Sequence, residues 1–193
     1  MATWVALIRG INVGANRRLP MRDLVTAIEA ASGSDVRTYI QSGNAAFDAP
    51  ADRSASSLAA AIRDGIEDLH GFAPHVLVRD AAYLRRIVER NPYPDAVGEP
   101  KTLHVYFLDA SPTAADLDRL ASLRTGDESS SLDGDAWYLH VPGGLGRSTV
   151  AAKAERLLGV PATARNWATV TALLALADAW RVASTTDIGD PAI

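Results

Sequence analysis

The chain contains no cysteine, which excludes disulfides, thiolate metal ligands and a cysteine nucleophile. A fold without cross-links must hold by packing, and the absence fits an expected reducing, cytoplasmic compartment. Long apolar runs are also missing. The opening stretch Met1-Ala2-Thr3-Trp4-Val5-Ala6-Leu7-Ile8 is too short for a signal-peptide core and is followed by Arg9. No other segment approaches the ~18 uninterrupted apolar residues of a membrane span, so no membrane partner is expected. Basic runs are absent too. A net charge of −4 and a pI near 5.5 repel a phosphate backbone over most of the surface and argue against nucleic acid as a partner. The histidines, His70, His75, His104 and His140, show no pair at metal-ligand spacing, and no metal or cofactor is expected.

What is present suffices for a packed core: 193 residues, 48% of them hydrophobic and 22% charged, enough for one large domain or two small ones. Trp4 to Ile8 reads as a central strand buried on both faces. Glycine and asparagine punctuate residues 10 to 16, and Pro20 stands where a helix begins, with Leu24, Val25 and Ile28 at helical spacing. Val36, Thr38 and Ile40 alternate with Arg37, Tyr39 and Gln41 as a strand with one polar face. Ser42-Gly43 turns the chain into a returning strand from Asn44 to Asp48. A long helix carries Leu58, Ile62, Ile66 and Leu69 and stops at His70-Gly71, and His75 to Arg79 is a further strand.

This order is β-α-β-β-α-β, a ferredoxin-like pattern, and with a helix capped by Asp80 it defines a first subdomain over residues 1–92. A proline-punctuated connection from Pro92 to Pro100 leads to a second α+β subdomain over 101–183. That half reads β-α-β-β-α-α: a strand from Thr102 to Leu108, a helix from about Thr113 to Leu123, and a hairpin turning at Asp133-Gly134-Asp135. A helix to about Leu158 and a last helix opening near Thr163 complete it. Residues 184–193 read as a frayed tail. The expected fold class is therefore α+β in two subdomains.

In the β-α-β-β-α-β pattern the loop after the first strand and the hairpin after the second leave the sheet at one edge. Arg9, Asn12, Asn16, Gln41, Ser42 and Asn44 should therefore converge, beside the N-terminus of the first helix. An arginine, several amides, a hydroxyl and glycines that permit close backbone approach suit a small anionic or phosphorylated ligand. The same residue types are equally at home holding tight loops through their own backbone bonds. Two further pairs qualify as ligand contacts: Arg147 and Ser148 after the glycine run Gly143-Gly144-Leu145-Gly146, and Arg165 and Asn166 near the last helix. No catalytic residue stands out, so whether the chain is an enzyme is left open by its residues, as is its oligomeric state. The alternative is an RNA-binding or protein-interaction module that uses the sheet face, for which Trp4 and Phe47 would supply stacking surfaces.

The runs Arg9-Gly10-Ile11-Asn12-Val13-Gly14, Leu19-Pro20-Met21 and Thr38-Tyr39-Ile40-Gln41-Ser42-Gly43-Asn44 resemble motifs of the domain-of-unknown-function family 1697. Gly146-Arg147-Ser148 and Arg165-Asn166-Trp167 extend the resemblance over almost the whole chain. Ala15 departs from the pattern, in which a second glycine often follows the one at Gly14. The resemblance implies α+β subdomains and supplies no catalytic assignment.

Overall fold

In a computed structural model, residues 1–14 and 17–185 are described, with side chains up to residue 179. The chain forms two compact units, Met1–Arg85 together with the stretch from Ala172 onward, and Arg86–Thr171. The architecture is α+β: each unit holds a four-stranded antiparallel sheet, with strand orders β2-β3-β1-β4 and β6-β7-β5-β8.

The first sheet is built on β1 (Ala2–Arg9), which pairs with β3 (Asn44–Ala49) on one side and β4 (His75–Asp80) on the other. β2 (Ser34–Tyr39) adds to the far side of β3. Trp4, Ala6 and Ile8 alternate onto the face that packs with α1 (Met21–Ala30) and α2 (Ala55–His70), through Leu24, Ile28, Leu58, Ile62 and Ile66. Val5 and Leu7 point to the opposite face and are also buried, as a continuous apolar run requires. The helices are stopped as their sequences suggest: Ser54 Oγ accepts from Ser57 N–H at the start of α2, and Gly71 closes its end in a left-handed conformation, φ 71°.

Trp4 and Phe47 lie in this helix-covered core, Phe47 wholly buried. Aromatics that serve as an RNA-stacking platform must stand on an open sheet face. These two face α1 and α2 instead, so the RNA-binding alternative loses its stacking residues.

Asp80 caps α3 (Ala81–Glu89), accepting from Tyr83 N–H at 2.6 Å. In the second unit β5 (Leu103–Leu108) is central, between β7 (Ala136–His140) and β8 (Ala162–Asn166), with β6 (Ser129–Asp133) beyond β7. Tyr106, Leu108, Trp137 and Leu139 pack with α4 (Leu117–Ser122) and α5 (Thr149–Leu158). On the other face Tyr138 donates its hydroxyl to Ile87 O at 2.9 Å, and burial pushes this phenol up to about 12. It therefore stays a donor at any physiological pH.

One element departs from expectation. Residues 162–166 form β8, antiparallel to β5, where the sequence pattern suggested the opening of the last helix. The second unit is β-α-β-β-α-β, and α6 (Trp167–Thr185) begins after it. The strand is five residues long with two alanines facing the helices, so neither length nor hydrophobic alternation marks it. Pairing with the buried edge of β5 decides it. Of the expected tail, residues 184–185 belong to α6 and 186–193 lie outside the described residues.

The hairpin approaches β1 closely at Gly43, φ 73°, where a Cβ would stand 2.7 Å from both Ile8 Cβ and Ile11 Cδ1. Gly43→Ala combines left-handed strain with a clash against β1, and should destabilise by about 2 kcal/mol or more. Urea denaturation is the check, and a loss under about 0.5 kcal/mol would show that the two strands do not depend on this contact.

Candidate functional site

The edge at the end of β1 is organised by one side chain. Gly10 adopts φ 75° and turns the chain out of the sheet, and Asn12 follows at φ 54°, a left-handed conformation that asparagine tolerates well among non-glycine residues. The backbone N–H of Asn12 donates to Arg17 O at 3.0 Å, so the loop closes on itself. The Asn12 side chain then bonds Leu19 from both ends: Nδ2 donates to Leu19 O and Oδ1 accepts from Leu19 N–H, each at 2.9 Å. Nδ2 also donates to Gln41 O at 2.8 Å, which ties the β1–α1 loop to the β2–β3 hairpin.

The hairpin has its own closure. Asn44, wholly buried, donates Nδ2 to Tyr39 O at 3.2 Å and to Ser42 Oγ at 2.8 Å. Ile8 N–H donates to Gly43 O at 2.7 Å, so hairpin and β1 are joined by backbone as well. Ile40, between them, sits at φ 48° with its side chain exposed, a costly conformation for a β-branched residue.

Asn12, Gln41, Ser42 and Asn44 therefore come together. Arg9 ends β1 opposite His75 and is exposed at the same end of the strand. Asn16 lies outside the described residues. The amides of Asn12 and Asn44 are engaged in holding the loops, which leaves the surface to other groups.

Those groups line a cleft of about 480 Å³ bounded by Asn12, Arg18, Leu19, Pro20, Met21, Arg22 and Gln41. Pro20 is the residue before α1, φ −60° and ψ 142°, and its carbonyl accepts from Asp23 and Leu24 N–H. The cleft thus faces the start of α1, where the helix carries partial positive charge. Arg18 and Arg22 are exposed on it. Neither stood out in the sequence, where the sole signal was basic residues flanking a helix-starting proline. Asp23 in the first turn opposes them. Its carboxylate meets Arg22 Nε at 3.2 Å, and His70 Nε2 lies 3.1 Å away, within ion-pair reach but not aligned as a hydrogen bond.

In the second unit two of the remaining candidates are helix caps. Ser148 Oγ accepts from Ala151 N–H and caps α5, and Asn166 Oδ1 accepts from the N–H and the hydroxyl of Thr169, both at 2.9 Å, and caps α6. Arg165 lies on β8 beside Val105, with Nη1 donating to Ala164 O at 2.9 Å, and burial pulls its pKa down to about 10. It remains a cation at neutral pH. Arg147 is exposed at the end of a short 3-10 turn, Leu145–Arg147. Among the described residues no three His, Asp or Glu side chains are grouped to hold a metal ion.

Two expectations follow. Asn12→Ala removes three hydrogen bonds and leaves Leu19 N–H and two carbonyls to find water, which should cost about 1–3 kcal/mol, read by thermal unfolding. Hydrogen exchange should rise in residues 17–20 and 41–44 if the clamp acts as described; unchanged protection would refute it. His104, buried on β5, has its pKa lowered from 6.5 by desolvation, against a smaller opposing effect of a backbone hydrogen bond at Thr102. The folded chain then binds a proton less readily than the unfolded one. Stability should accordingly be constant above about pH 6.5 and fall as pH drops below it, a slope that His104→Phe should flatten in urea titrations.

The family model described as protein of unknown function, DUF1697, matches residues 1–138. The conserved bacterial protein SP0830 from Streptococcus pneumoniae has a solved structure similar to this one, with a TM-score of 0.64 and 19% identity over 92% of this chain and 99% of that one. At that identity the likeness establishes the fold alone. No curated protein matches the chain. Among the described residues no helix is long and apolar enough to cross a membrane. The matched region takes in every strand of the first sheet and the whole Asn12 clamp, and the chain belongs to the DUF1697 family of proteins of unknown function.

Proposed function

We propose that the edge at the end of β1 binds a small anionic ligand, with a phosphate or phosphate ester as the chemical class. The observation that carries the reading is the cleft at the start of α1, which presents Arg18 and Arg22 in a chain of net charge −4. Guanidinium groups suit phosphate oxygens because their fork of donors matches a pair of oxygens, and the start of a helix favours negative charge nearby. The Asn12 clamp supports the reading by holding the cleft's two walls in fixed relation, so that little ordering is required when a ligand enters. Asp23 sets a limit: it neutralises part of the Arg22 charge, so affinity rests mainly on Arg18. The proposal is for binding, and it assigns no reaction.

Titration with inorganic phosphate and with a nucleoside monophosphate, followed by backbone amide NMR, tests the site. Saturable shifts centred on residues 12, 18–22 and 41 are expected. Arg18→Ala should weaken binding roughly tenfold, the scale of one lost charge-assisted hydrogen bond, with little change in melting temperature because the side chain is exposed. Shifts that never saturate, or that survive in Arg18→Ala and Arg22→Ala alike, would refute it. Loss of stability in those variants would instead make the arginines part of the loop's own support.

A further inference from the structure

A second cleft, of about 500 Å³, lies wholly within the second unit and is built from a different chemistry. Tyr93 forms its wall. The ring packs on His140 with centroids 6.0 Å apart and planes tilted by 32°. Ser129, the direct cross-strand partner of His140, lies close enough to the Tyr93 hydroxyl to favour its ionised form, which places the ring beside the β6–β7 pair. The backbone of Tyr93 is held as well: Asn91 Oδ1 accepts from its N–H at 3.0 Å and Asn91 Nδ2 donates to its carbonyl at 3.2 Å. Pro92 and Pro94 on either side, with Pro142 across the cleft, stiffen the surround. This is a preorganised aromatic surface, and no stability role requires it to border an open cavity.

The rim is acidic. Asp95, Glu99 and Asp127 line the cleft, and no lysine or arginine does. Burial raises the Tyr93 pKa and keeps the phenol neutral, against smaller opposing effects of Ser129 and of Arg124, which lies outside the lining. An electron-rich ring face beside carboxylates attracts a soft organic cation more than a strongly hydrated inorganic one, because the ring quadrupole rewards a cation that sheds water easily.

We infer that this cleft binds a small organic cation, an alkylammonium or guanidinium group, seated on Tyr93 and His140 and neutralised by Asp95, Glu99 and Asp127. It is independent of the anion-binding edge in residues, charge and unit. The probes are tetramethylammonium chloride, spermidine and free arginine, each titrated into the full chain and followed by NMR of the His140 ring and the residue 91–99 amides, with sodium chloride at matched ionic strength as the control. Saturable shifts at these positions are expected for the organic cations and not for sodium. Tyr93→Leu should weaken binding roughly two- to fivefold, the scale of an exposed cation–π contact. Asp95→Asn, Glu99→Gln and Asp127→Asn combined should weaken it at least about threefold. These carboxylates are exposed, so the triple variant tests the site even if Tyr93→Leu unfolds. Equal shifts with sodium, absence of saturation, or undiminished binding in the triple variant would overturn the inference.

Discussion

The close seating of the β2–β3 hairpin against the end of β1 is the constraint on which the first unit depends. Gly43 must lack a side chain for its backbone to meet Ile8 and Ile11, and the resulting N–H···O bond from Ile8 to Gly43 sets the height at which the hairpin sits. Once it is there, Gln41 O is within reach of Asn12, whose amide can then hold the β1–α1 loop and the hairpin together. The strained backbone of Ile40 is tolerated because bonds on both sides of it over-determine its position. Loop geometry and the proposed ligand site are therefore not competing descriptions of this edge. The asparagines build the frame, and the arginines occupy the surface that the frame presents.

Charge is distributed against the average. A chain of net −4 carries Arg9, Arg17, Arg18 and Arg22 between the end of β1 and the first turn of α1, two of them on the cleft, whereas the Tyr93 cleft of the second unit is bordered by carboxylates. Exposed charges of one sign gathered at a concave surface cost self-repulsion and return little stability. Their placement is more economically explained by what approaches from solvent than by what holds the fold. Both clefts are also backed by short-range asparagine clamps, Asn12 in one and Asn91 in the other, that fix backbone on either side of the exposed groups.

Much of the architecture could be read directly. The unbroken apolar run Trp4–Ile8 announced a doubly covered central strand, and Asp80, Ser148 and Gly71 announced helix ends, because capping depends on neighbours in sequence. The convergence of Asn12 with Gln41, Ser42 and Asn44 followed from strand order alone. Two readings failed, for different physical reasons. β8 has almost no local signature and exists because β5 offers an unpaired edge. Trp4 and Phe47 were assigned to the wrong face for RNA because alternation tells which residues share a face and not which face the helices cover. The arginines of the cleft were overlooked since their exposure and their orientation toward a cavity are not properties of spacing.

By itself, then, the sequence determined what local interactions control: the order of the elements in the first unit, most helix termini, the turns at glycine and asparagine, and the edge at which two distant loops would meet. Only the tertiary structure decided which side-chain groups at that edge are consumed in holding it. An asparagine that bridges two loops and an asparagine that awaits a ligand are the same residue in sequence, and they differ by whether Leu19 and Gln41 come within 3 Å of its amide. That distance is set by the packing of Gly43 on β1, a contact between residues more than thirty positions apart, and no local preference encodes it.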